Sequence, residues 1–214
     1  MYELGLYEKS MPNTLSFKEK LETVKATGFD FLEMSVDETD EKLARLEWTK
    51  EERLELVKTM YETGVSIRSM CLSGHRKYPF GSHDASVRER SMEIMEKAIE
   101  LADDLGIRVI QLAGYDVYYE EGDADTLEFF IDNLKKATLL ASQKGIVLGF
   151  ETMETPFMNT VEKSMRFVNL VDSPYLQVYP DSGNLKNASL EPGAKNVYED
   201  IELGKGHIVA AHLK

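Results

Sequence analysis

Apolar runs recur along this chain directly after a glycine. They are Gly28-Phe-Asp-Phe-Leu, Gly64-Val-Ser-Ile, Gly106-Ile-Arg-Val-Ile, Gly145-Ile-Val-Leu and Gly206-His-Ile-Val. Before the first four, apolar residues return at helical spacing. Glycine just past a helix is the common left-handed cap, so the repeating unit is helix, glycine, strand. The runs themselves are short, β-rich and nearly uninterrupted by polar residues, as strands covered on both faces require.

The pattern predicts strands at Leu4–Tyr7, Phe29–Met34, Val65–Cys71, Ile107–Leu112, Ile146–Glu151, Tyr175–Tyr179 and Ile208–His212. Between them it predicts helices. The first starts at Ser16, with Glu19 completing a capping box and Leu15 as a hydrophobic staple. The second starts at Thr49, with Glu52 in the same role. The others span about 84–105, 126–144, 160–170 and 194–203. Ile94, Ala98, Leu101, Ala102 and Leu105 form one core-facing stripe, and Leu127, Phe130, Ile131, Leu134, Thr138 and Ala141 form another. Residues 37–47, 73–81 and 114–120 read as loops.

Helix and strand alternate with no linker or low-complexity tract, which predicts one α/β domain over residues 1–214. The choices are a TIM (β/α)8-type barrel or an open doubly wound sheet. No Gly-x-Gly-x-x-Gly follows the first strand, so the dinucleotide-binding open sheet lacks its signal. Eight units of this size would need more than about 250 residues. The expectation is therefore an incomplete barrel of about seven strands, its eighth βα unit missing. Such a barrel leaves the first and seventh strands with free edges. It is expected to aggregate or to pair with a second copy as a homodimer.

Composition narrows the picture. A net charge of −13 argues against nucleic acid and anionic membranes as partners. No apolar run is long enough to span a membrane. The N-terminus has no basic n-region or long h-region, so it is not a signal peptide. The single cysteine, Cys71, reads as a small buried core residue, and a reducing cytoplasm fits.

The candidate chemistry lies at strand ends. Glu33, His75, Gln111, Glu151, Asp181, Asn184 and His212 all fall there, where barrel enzymes place their active sites. Any one of them alone reads as a cap for a strand or helix. Glu151, Asp181 and His212 end three successive strands, which are neighbours in a barrel. Two carboxylates and an imidazole converging on one point read as a divalent metal site. Zinc, manganese and cobalt suit such donors, and magnesium accepts carboxylate-rich sites. Glu154 reads as a loop or helix-entry residue. The segment from Ser73 to Lys77 offers donors for a sugar hydroxyl or a phosphate, or is a solvated basic loop. Tyr115, Tyr118 and Tyr119 form a lid or a packing surface.

Several stretches resemble the sugar-phosphate 3-epimerases of the xylose-isomerase-like barrel superfamily, in the branch acting on L-ribulose 5-phosphate and L-xylulose 5-phosphate in ascorbate catabolism. They are Gly28–Asp40, Ser69–Arg76, Gly106–Tyr119, Tyr179–Leu185 and Gly206–Lys214. The resemblance covers nearly the whole chain. It implies an epimerase that inverts carbon 3 of a ketopentose 5-phosphate by proton abstraction through a metal-stabilised enediolate. It also implies that Glu151, Asp181 and His212 hold the metal and that Glu151 transfers a proton on one face of the substrate. The family's fourth ligand and second proton-transfer group, a glutamate on strand eight, has no counterpart here. His75, Arg76, Asn184 and Lys214 are the candidate contacts to substrate oxygens or phosphate. Pro156 and Phe157 stand where other ketose 3-epimerases carry polar substrate contacts, so those contacts are not carried over. The rival readings are an aldose–ketose isomerase on the same barrel and an inactive barrel fragment.

Overall fold

The computed structural model describes residues 2–214. Its strands are β1 (Gly5–Tyr7), β2 (Phe31–Val36), β3 (Ser66–Leu72), β4 (Val109–Ala113), β5 (Val147–Glu151) and β6 (Leu176–Tyr179). They form one sheet in the order β1-β2-β3-β4-β5-β6, and every pair is parallel. Eight α-helices are described: α1 (Phe17–Thr27), α2 (Asp40–Leu43), α3 (Lys50–Thr63), α4 (Ala85–Leu105), α5 (Ala124–Gln143), α6 (Val161–Val171), α7 (Ser182–Ala188) and α8 (Val197–Leu203).

Both expected capping boxes form, Ser16 with Glu19 and Thr49 with Glu52. Gly28 sits at φ 80°, where a side chain would be strained. The next residue, Phe29, donates its N–H to Val24 O (3.1 Å). Ile107 and Ile146 do the same to Ala102 and Ala141. The first apolar residue of each of these runs thus finishes the preceding helix and does not begin the strand. That is why β2 starts at Phe31 and runs on to Val36, two residues later than the pattern predicts. Glu33 consequently lies inside β2.

Helix packing follows the apolar stripes. Ile94, Ala98, Leu101, Ala102 and Leu105 of α4 are all buried, and each large aliphatic side chain so placed contributes roughly 1.5–3 kcal/mol. On α5, Phe130, Leu134, Thr138 and Ala141 are buried, but Leu127 is exposed. The stretch 37–47, expected as loop, folds as α2 and a following turn of 3-10 helix. Helix α7 was not expected.

The seventh strand is a correction. Residues 208–212 touch β6 through only two isolated parallel bridges, Val178–Ile208 and Asp181–His212. Val178 N donates to His207 O and Val209 N to Val178 O (2.9 and 3.0 Å). Pro180 then has no N–H to continue the ladder. His212 N donates to Pro180 O instead (2.9 Å), and the offset between paired residues grows by one. The slip sets His212 beside Asp181.

The register also sorts the sheet into two faces. Tyr7 pairs beside Glu33, Glu33 beside Ser69, Cys71 beside Gln111, and Glu151 beside Tyr179. Side chains alternate along a strand, so these residues share one face. The other face carries Leu32, Met34, Met70, Leu72, Ile110, Leu148 and Val178, all buried in the main hydrophobic core. The sheet thus has an apolar outer face covered by helices and a polar inner face that leads to the site.

Candidate metal centre and active site

Three elements deliver the three expected ligands. Glu151 is the last residue of β5, Asp181 follows β6 as the N-cap of α7, and His212 stands in the seventh strand position. One donor atom from each lies within 4.8 Å of the others. His212 Nδ1 is 3.1 Å from Glu151 Oε1 and 3.8 Å from Asp181 Oδ2.

Asp181 is fixed before any ligand arrives. Its N–H donates to Thr152 Oγ1, and its Oδ1 accepts from Asn184 N, both at 2.9 Å. Its Oδ2 is fully buried and accepts no well-directed hydrogen bond. The Lys214 ammonium lies 2.5 Å away but off hydrogen-bond geometry, so it balances charge without satisfying the lone pairs. A buried carboxylate oxygen that accepts no hydrogen bond keeps its lone pairs free for a metal ion. Two carboxylates, one of them with this unbonded buried oxygen, and one imidazole fit a divalent ion.

His212 is gripped from both sides. Its Nε2 lies 2.5 Å from Glu33 Oε1 and its Nδ1 faces Glu151. Burial by itself would lower its pKa, but the bonds to Glu151 and Glu33 outweigh that and push it up to about 10. Without an ion, the ring is therefore an imidazolium donating to both carboxylates. Glu33, in turn, would be raised by burial but is held below the usual carboxylate range by His212, Ser69 and Tyr179.

Beside the triad lies a cavity of about 330 Å³, lined among others by Tyr7, Lys9, Cys71, Arg76, Glu151, Glu154, Asn184, His212 and Lys214. Of the residues expected to contact substrate, Arg76, Asn184 and Lys214 reach it. Asn184 has its amide N–H committed to Thr152 O (2.8 Å), which ties α7 to the end of β5. His75 does not reach the cavity. Its ring is buried, Nε2 meets Ser91 O at 3.1 Å, and Phe80 packs on it at 4.5 Å between ring centroids. Burial lowers its pKa to about 4, so it is a neutral core residue.

The tyrosine loop holds rim residues in place. Tyr115 donates to Glu154 (2.8 and 2.9 Å), Tyr118 adds a bond to the same carboxylate, and the Arg76 guanidinium lies 4.9 Å from the Tyr118 ring centroid. Glu154 is thus a cavity-lining residue as well as a loop residue. Cys71 is buried as expected, but it also lines the cavity and accepts from Tyr7 OH (3.3 Å). Burial pushes its thiol well above the ordinary range.

A polar-faced parallel barrel with two carboxylates and an imidazole at its strand ends defines a class before any comparison is made. Residues 21–214 match the family described as "Xylose isomerase-like TIM barrel", and the chain belongs to that family. It is 48% identical over 211 residues to L-ribulose-5-phosphate 3-epimerase UlaE of Escherichia coli O139:H28, covering 99% of this chain and 72% of the relative. Solved structures share the fold. D-psicose 3-epimerase with D-tagatose from Clostridium cellulolyticum H10 superposes with a TM-score of 0.82 at 17% identity, over 99% of this chain and 73% of that one. An L-ribulose 3-epimerase does so at 0.78 and 19%, over 100% and 70%.

Proposed function

We propose that this chain inverts carbon 3 of a 2-ketopentose 5-phosphate, interconverting L-ribulose 5-phosphate and L-xylulose 5-phosphate. The observation that carries the reading is the convergence of Glu151, Asp181 and His212 on one point, in a chain that shares nearly half its residues with an L-ribulose-5-phosphate 3-epimerase.

Carbon 3 loses its proton readily only when charge can spread onto the adjacent carbonyl. Glu151, Asp181 and His212 would hold a divalent cation, which would supply the Lewis acidity that stabilises this charge. Glu151 takes the proton. Its Oε1 is the oxygen engaged with His212, and its Oε2 accepts no hydrogen bond from the described residues, leaving that oxygen for proton transfer. Asp181 and His212 hold and orient; neither moves a proton to carbon. Inversion is completed when a proton returns to carbon 3 from the opposite face, a role the resemblance gives to a glutamate on strand eight.

The phosphate falls to Arg76. Arg76 pairs with no carboxylate among the described residues, and its buried Nε has no partner. A guanidinium in that state is matched by a phosphate oxygen. Lys214 and Lys9 line the same cavity. Both are already paired, Lys9 with Asp37 and Lys214 with Asp181, and Asp37, Glu38, Glu151 and Glu154 line the cavity too, so Arg76 is the cation left to meet the phosphate.

The test is deuterium uptake. Incubated with L-ribulose 5-phosphate in D2O, the protein is expected to place deuterium on carbon 3 and to yield L-xylulose 5-phosphate. Deuterium on carbon 1 with an aldose product would make it an aldose–ketose isomerase and overturn the proposal.

A further inference from the structure

Glu33 is a buried carboxylate that the chemistry above does not use. It is only 3% exposed and is not among the residues lining the cavity. Yet all of its hydrogen bonds are made. Oε1 accepts from His212 Nε2 at 2.5 Å. Oε2 accepts from Ser69 Oγ at 2.6 Å and Tyr179 OH at 2.7 Å. These partners sit on β3, β6 and the seventh strand position, so the carboxylate spans the inner face of the barrel. The β2–β3 register slips between Leu32 and Glu33, a bulge that sets Glu33 opposite Ser69. Bulges re-aim side chains in this way next to functional sites.

Imidazole offers a cation one lone pair, on whichever nitrogen lacks the proton. An ionised carboxylate only accepts. Glu33 therefore requires the proton on Nε2, and Nδ1 is left facing Glu151, Asp181 and the side-chain amide of Gln111, 3.1 Å away, which an ion would displace. The ring has little freedom to flip, because Tyr179 and Tyr7 pack on it with centroids 5.1 and 5.3 Å away. We propose that Glu33 is a positioning residue: through Nε2–H it fixes the tautomer and angle of His212, so that Nδ1 is presented to an ion between Glu151 and Asp181. The inference rests on the metal reading of the triad. Carboxylates behind ligating histidines act this way in metal sites generally, and losing one typically costs about 10–100-fold in metal affinity.

The experiment is calorimetric titration of metal-stripped protein with Mn2+. Glu33→Gln keeps the shape of the side chain but removes its charge and lets it donate as well as accept. Its Mn2+ affinity is expected to fall by roughly 10–100-fold, with a shifted Co2+ absorption spectrum, while circular dichroism shows that the metal-free variant stays folded. Ser69→Ala, which loosens the far oxygen only, is expected to stay within about threefold of the unmodified protein. Equal affinities and spectra for Glu33→Gln and the unmodified protein would overturn the role of Glu33 while leaving the metal site intact. A Ser69→Ala loss as large as that of Glu33→Gln would also overturn it, since Glu33 would then act only as a packing hub. No Mn2+ binding by the unmodified protein would instead remove the metal reading itself.

Discussion

Replacing Glu8 with glutamine removes the one anion from a buried cluster of three cations. Glu8 is wholly buried in the turn after β1. Its carboxylate accepts from Lys20 (2.7 Å), Lys42 (2.8 Å), both terminal nitrogens of Arg45 (2.7 and 2.8 Å) and the Ser35 N–H (2.8 Å). Lys20, Lys42 and Arg45 are themselves buried. Burial would raise the acid's pKa, but Arg45 and the two lysines outweigh it and hold the group far below the usual carboxylate range. Breaking a buried pair from one side typically costs about 3–5 kcal/mol, because the partner charges stay behind uncompensated. Against a total stability of about 5–15 kcal/mol, that is a large fraction. Glu8→Gln should therefore lower the urea-unfolding free energy by about 3 kcal/mol or more at pH 7. Because the folded pKa is depressed, this stability is present above about pH 4.5 and is lost as pH falls. The variant should accordingly lose less stability than the parent between pH 5 and acid conditions. A change below about 1 kcal/mol at pH 7 would refute the reasoning and show that the cations redistribute or lose their protons. The cluster matters to the site because Tyr7 and Lys9, on either side of Glu8, both line the cavity.

Other perturbations reach the site directly. Asp181→Asn should abolish stoichiometric divalent-metal binding, measured by elemental analysis after dialysis, while the fold stays intact by circular dichroism. For His212 the linkage sign is opposite to that of Glu8: its pKa is raised to about 10. Its contribution is complete below about pH 6.5 and is lost as pH rises toward 10, so the melting temperature of metal-free protein should fall over that range and His212→Leu should flatten the slope. Gly114→Ala would place a Cβ 2.7 Å from Glu151 O and 2.8 Å from Met158 Sδ. It should destabilise by about 1–3 kcal/mol in chemical denaturation and displace the end of β5.

Much of the architecture was legible because it rests on local rules. Capping boxes and glycine caps marked the helix ends, and the apolar runs marked β2 to β6. What escaped depended on contacts distant in sequence or on small local exceptions. Pro180 interrupts the seventh ladder, an effect visible only once its partner segment is known. Helix α7 was hidden because Ser182–Ala188 carries no apolar stripe, with only Leu185 and Ala188 buried. The convergence of Glu151, Asp181 and His212 was legible because each residue ends an apolar run, and adjacent parallel strands bring such ends together. His75 looked like a mouth residue from its basic neighbours, but Phe80 and the Ser91 carbonyl draw it into the core. Glu33 reads from the sequence as one of the strand-end candidates. Its role stayed hidden because its partner, His212, lies at the other end of the sequence and the bulge that aims it leaves no local mark.

The account turns on Glu151 as the group that removes the carbon 3 proton. The most direct measurement is solvent-deuterium exchange at carbon 3 of L-ribulose 5-phosphate, followed by NMR, for the unmodified protein and Glu151→Gln. Exchange in the first and none in the second is the predicted result. Exchange at an undiminished rate in Glu151→Gln would contradict the account.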